Sequence, residues 1–171
     1  MNTDVGTTLV YPHHGAVTVT KRRVRRVRGE DATYVTMRVH ASDLIIDLPA
    51  ANFELVGVRD VIDSEGLEEV LSVLRADTEE EAANWSRRFK SNQEKMGSGS
   101  VIRVAEVVRD LSRRDALTGV SAGEKHMLQK ARQLLESEIA LTLGSVEDAV
   151  VAIDAALADP VVTSGAGSTE V

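Results

Sequence analysis

The chain has 171 residues, a formal net charge of −7 and no cysteine. That length makes one domain or two small ones, and the missing thiols exclude disulfides, thiolate metal sites and Cys nucleophiles, which suits a reducing cytoplasm. Apolar residues make up 43% and aromatics only 3%, so a core is affordable only from Val, Leu, Ile and Ala. No basic segment followed by an apolar run opens the chain and no 18-residue apolar stretch occurs, so neither a signal peptide nor a membrane span is expected.

In chain order, residues 1–50 read as β. "TTLVYP" is a short strand ending at Pro12, "HHG" a turn, and "AVTVTKRRVRRVRG" a long β-branched run that stops at Gly29. "ATYVTMRV" and "DLIIDLP" alternate in the manner of strands, and "RGED" (28–31) is the expected hairpin tip between the second and third strands. Short alternating strands between turn residues predict a small antiparallel barrel or curled sheet.

From about residue 60 the period becomes helical. Leu67, Val70, Leu71 and Leu74 share one face of a helix; Trp85, Phe89 and Met96 form a narrow stripe on the next; Val101, Val104, Ala105, Val108 and Leu111 keep core spacing on a third. Ser121 and Glu124 make a capping-box pattern ahead of a long helix that Gly144 ends, and a last Ser-capped helix stops at Pro160. The expected fold class is α+β with the two parts in succession, all-β then all-α. Its divisions are a β module over 1–53, a helical module over 60–159 and a disordered tail over 160–171.

Charge is unevenly spread. Residues 54–81 carry 2 basic and 10 acidic groups and residues 133–171 carry none and 7, whereas residues 82–132 carry 11 basic and 5 acidic. Screening over about 8 Å at physiological salt makes a phosphate feel that cationic block more than the total. The block holds Arg87, Arg88, Lys90, Arg113, Arg114, Lys125 and Lys130. It reads either as a solvated helical surface or as a backbone-contacting one. No polar recognition helix supports base reading in the major groove. Trp85, the only tryptophan, is by residue type either a core anchor or a ring inserted between bases. "KRRVRRVR" (21–28) reads as a charge-guarded edge strand or as a docking edge for an acidic surface or phosphate.

Enzyme signals are weak: there is no Gly-rich phosphate loop and no GxSxG. His13 and His14 are adjacent, and adjacent strand residues point to opposite faces, so they mark a turn rather than a metal site. The run Glu79–Glu81 reads as a solvated helix start.

"VYPHHGA", "GVRDV", "NWSRR", "RVAEVVRDLSRRD" and "VSAGEKHML", in that order from about residue 4 to about residue 145, resemble the CarD/CdnL family of bacterial transcription regulators. The last helix and tail lie outside the resemblance. It implies a Tudor-like β module, shared with the polymerase-interacting part of transcription-repair coupling factor, that docks on the β subunit of RNA polymerase. It also implies a helical module that binds promoter DNA at the upstream edge of the transcription bubble. There an exposed Trp wedges into the minor groove and stabilises the open complex, at promoters used by the housekeeping sigma factor. The family Trp falls on Trp85. DNA contacts fall on Arg87, Lys90, Arg114 and Lys125, with Arg88 and Lys130 beside them, and the polymerase contact on Arg25, with Arg23 and Arg26 beside it in the basic run as further candidates. Neither an enzyme activity nor a cofactor, metal or membrane is implied, and the place of action is the cytoplasm, at the nucleoid. One position departs from the family pattern: Asp47 in "DLIIDLP" stands where close relatives carry a basic polymerase contact.

Overall fold

A computed structural model of the chain describes residues 1–12, 14–40, 42–78 and 84–159. The expected tail (160–171), His13 and the run Glu79–Glu81 lie outside the described residues. The elements run β1 (Thr8–Tyr11), β2 (Gly15–Val27), β3 (Glu30–Val39), β4 (Ile45–Pro49), α1 (Phe53–Val56), β5 (Arg59–Asp60), α2 (Ser64–Arg75), α3 (Trp85–Gly97), α4 (Val101–Leu117), α5 (Ala122–Leu143) and α6 (Val146–Ala158). The five strands form one antiparallel sheet in the order β4-β3-β2-β1-β5. The α+β class, β first and α second, is as the sequence led us to expect.

Leu9, Val17, Val19, Val35, Met37, Val39 and Leu48 build the sheet's core, and Phe53 and Val58 close it. The β module therefore continues through α1 and β5 to Asp60. Strands β2 and β3 turn at Arg28 and Gly29, which both take positive φ (53° and 90°). Two-residue hairpin turns need that geometry to match the strand twist.

The first half of β2 is packed and the second half is not: from Thr20 to Val27 its residues are exposed apart from the half-buried Arg23, and Val24 is 66% exposed. β4 pairs with β3 only as far as Tyr34, so the rest of the β2–β3 hairpin projects as a two-stranded arm. The register between β2 and β3 shifts at Val19/Lys21, where Thr20 is the extra residue of a bulge. Side chains alternate with period 2, so one extra residue moves every later side chain to the other face. Val17 and Val19 thus face the core, while Lys21, Arg23 and Arg25 share the opposite face with Tyr34, Thr36 and Asp47.

The helical core is centred on Val70, Leu74, Val107, Val108, Leu111, Leu135, Ile139 and Ile153. The caps expected from sequence are present: Ser121 and Glu124 form the complete capping box of α5, and Ser145 caps α6. A side-chain clamp joins the two modules. Arg59 of β5 donates from both terminal nitrogens to the Glu138 carboxylate of α5 (2.6 and 2.9 Å) and from Nε to the Gly99 carbonyl (2.9 Å). A Cβ on Gly99 would lie 2.8 Å from the Pro12 ring and one on Gly15 3.2 Å from Leu134, so both glycines permit the close approach.

Candidate nucleic-acid interface

Trp85 is the first residue of α3. The Asn84 side chain caps that helix, accepting from the amides of Ser86 (2.9 Å) and Arg87 (3.4 Å), and so fixes where the first turn places its side chains. The indole is 47% exposed. One face stacks on Phe89 (centroids 5.2 Å apart, 26° between planes), and Nε1 donates to Ser121 Oγ (3.2 Å). Phe89 packs on the helical core and Met96 is buried in it, so the stripe read from sequence tilts outward at its N-terminal end.

The Ser121 hydroxyl is saturated. It accepts from the Trp85 indole and the Glu124 amide (3.2 Å) and donates to Glu124 Oε2 (2.9 Å), which uses its one donor and two acceptor sites. Glu124 is itself buried and faces Arg88 at 3.7 Å. Burial alone would push the Glu124 carboxyl up, but the Ser121 amide and hydroxyl and the charges of Arg88 and Arg114 hold it below the ordinary glutamate value. Trp85 is thus tied, through Ser121, to a charged pair that locks α3 against α5.

The candidate cations divide into two groups. Arg87 and Lys90 are exposed on α3, the helix that Trp85 starts, and Lys125 and Lys130 are exposed on α5, the helix whose cap residue Ser121 holds the indole. Arg114 is half-buried and close enough to Glu124 to act on it. Arg88 departs from the expected surface role. It is only 8% exposed and turned toward Glu124, because three residues after Trp85 the helix faces α5. Arg113 likewise turns inward, donating to the carbonyls of Leu74 (3.2 Å), Arg75 (3.3 Å) and Ala76 (2.7 Å) at the end of α2. A cation suits that end of a helix.

On the β module, Arg23, Arg25 and Asp47 come together. Asp47 accepts from Arg23 and from Thr36 Oγ1 (2.9 Å), and Arg25 lies 3.8 Å away with its guanidinium 4.9 Å from the Tyr34 ring centre. Partial burial pushes the Asp47 carboxyl up, and the hydrogen bonds from Thr36 and Arg23 with the charge of Arg25 outweigh it, leaving it below the ordinary aspartate value. Arg26 instead reaches the hairpin carbonyl of Gly29 (3.3 Å). Among the described residues, no three His, Asp or Glu side chains gather as metal ligands, and no helix is long and apolar enough to cross a membrane.

Residues 69–153, which hold the whole Trp85 environment, match the family CarD, C-terminal domain. Over 143 residues, 84% of this chain and 94% of the other, the sequence is 29% identical to a Bacillus subtilis (strain 168) protein named "Putative transcription factor YdeB". The chain belongs to the CarD/CdnL family. Among solved structures, the solution structure of the 72-residue N-terminal domain of Myxococcus xanthus CarD is 33% identical over 33% of this chain and 76% of that one, with a TM-score of 0.29.

Two residues of this CarD-family site were not among those expected from sequence to serve the Trp. Ser121 was visible only as a helix cap, and Glu124 only as its partner; both act on an indole 36 and 39 positions away. The link makes a pH-dependent expectation. Because the folded Glu124 carboxyl sits below its unfolded value, it contributes stability that is complete above the unfolded value and is lost as pH falls through the folded one. Glu124→Gln should flatten that acid limb of a thermal-stability profile. An unchanged limb would mean the carboxylate is not energetically coupled to the fold.

Proposed function

We propose that this CarD-family chain is a transcription regulator that docks through its β module on the RNA polymerase β subunit and lodges Trp85 in the minor groove at the upstream edge of the promoter bubble, so holding the open complex. The observation that carries this reading is the half-exposed, hydrogen-bonded Trp85 at the start of a helix, with exposed cations Arg87 and Lys90 on that helix and Lys125 and Lys130 on the helix it is bonded to. An apolar wedge entering a base step from the minor groove, beside cations that neutralise backbone phosphates, is a recurring way to hold distorted DNA. The ring prevents restacking, the cations keep it in place, and no bond is made or broken. Arg88 serves by holding α3 to α5. The test is the lifetime of a promoter open complex with the wild-type chain and with Trp85→Ala. Equal lifetimes would end the wedge reading.

Docking is the part on which Asp47 bears. Its pairing with Arg23 and Arg25 supports a second reading, in which a weakly docking chain works as an architectural DNA binder. Asp47→Asn removes the carboxylate that Arg23 and Arg25 share and frees both for an acidic partner. Capture of the β subunit should therefore tighten, though only modestly, because exposed ion pairs are weak. Loss of capture in Arg25→Glu would confirm the docking edge, whereas capture indifferent to both changes favours the architectural reading.

A further inference from the structure

Beside the Trp85–Phe89 stack runs a groove of about 330 Å³ between α3 and α5, the lower end of the range of clefts that take small ligands. Phe89, Met96 and Met127 give it an apolar floor, and Gly123 leaves it open: a Cβ there would stand 3.3 Å from the Phe89 ring. Gln93, His126 and Lys130 form the rim, and none of the lining residues is acidic. Trp85 and Met96 lie eleven positions apart on one helix, a rise of about 16 Å, so the groove leads from the indole along the helix pair.

We infer that this groove is a seat for an unstacked nucleobase of the single strand next to the wedge. The inference rests on the wedge reading. Once the indole occupies a base step, the displaced base needs an apolar surface of its own, and the floor beyond Phe89, the ring on which the indole stacks, offers one. Thioether side chains adapt to differently shaped rings, and stacking on an aromatic or apolar platform is sequence-tolerant because every base has a π-face. The seat is therefore a general one, suited to purines and pyrimidines alike. Gln93 offers an amide donor–acceptor pair on the rim for a base edge. Lys130, one turn beyond His126 on α5, meets the phosphate attached to that base. The lack of carboxylates matches a polyanion and disfavours a cationic or basic-peptide occupant.

The experiment is photocrosslinking of the full chain in an open promoter complex with RNA polymerase holoenzyme, the DNA carrying 5-iodouracil at successive unpaired positions beside the upstream edge. Crosslinked residues are mapped by mass spectrometry. A crosslink to Phe89, His126 or Met127 at one of these positions is the expected result, and it should vanish in Gln93→Trp, whose ring closes the groove from an exposed position. Crosslinking to Trp85 alone, or groove crosslinks that persist in Gln93→Trp, would overturn the seat and leave the wedge standing. A chain that crosslinks nowhere, with Trp85→Ala leaving open-complex lifetime unchanged, overturns both.

Discussion

Trp85→Ala should shorten the lifetime of the open promoter complex by roughly tenfold while leaving the fold and polymerase capture intact. Base–aromatic stacking contributes about 1–3 kcal/mol per base, and 1.4 kcal/mol of differential stabilisation already changes an equilibrium tenfold. The indole is well placed to deliver that difference. It is half exposed, so it is available, yet Phe89 and Ser121 fix it on two sides, so little side-chain entropy remains to be lost on insertion. The same geometry keeps the substitution mild for the protein itself. A stacked aromatic pair contributes about 0.5–1.5 kcal/mol beyond its buried area, and the helix keeps its Asn84 cap. Thermal unfolding and β-subunit capture run alongside separate loss of the wedge from loss of the module. A drop in lifetime that merely tracks a drop in Tm would defeat the explanation.

The second large effect concerns the clamp between the modules, and it is asymmetric. The Glu138 side chain is 5% exposed and that of Arg59 29%. Arg59→Ala leaves a carboxylate buried without its partner, which costs about 3–5 kcal/mol in comparable sites. Partial exposure of the pair puts the expectation at the lower end, about 3 kcal/mol, or a fall in Tm of roughly 6–12 °C for a chain of this size. Glu138→Ala leaves a guanidinium that can still reach water, and should cost about half as much. Urea unfolding of the two variants decides the matter, since equal losses would mean that burial of the carboxylate is not what makes the clamp strong. The clamp also has a mechanical role in the proposed function. A chain held at one end by polymerase and at the other by DNA can oppose bubble closure only if the join between its modules is stiff.

Much of this architecture is legible in the residues because its determinants are local. The hairpin tip follows from "RGED", the start of α5 from Ser121 and Glu124, and the helical core from leucines and valines at helical spacing. What escapes is non-local. A two-residue strand such as Arg59–Asp60 has no periodicity, so the β module's true end is set by pairing with Leu9 and Val10. Arg88 sits in a run of cations and carries no sign of burial, since the carboxylate it faces is 36 positions away. Asp47 reads as a charge reversal at a docking edge, and only the register of three strands shows that its first partners are Arg23 and Arg25 of the same chain.

The bulge at Thr20 bears on how such an arm can vary. Upstream of it, β2 is answerable to the packing of Val17 and Val19; downstream, both faces of the strand meet solvent. The extra residue places the boundary between these two regimes inside a single strand and resets the phase there. A stem that must stay fixed and a tip free to suit a partner are then joined without sharing constraints. Charge beyond the bulge, and that of Asp47 on the neighbouring β4, can drift with the surface it meets while the sheet beneath keeps the same core.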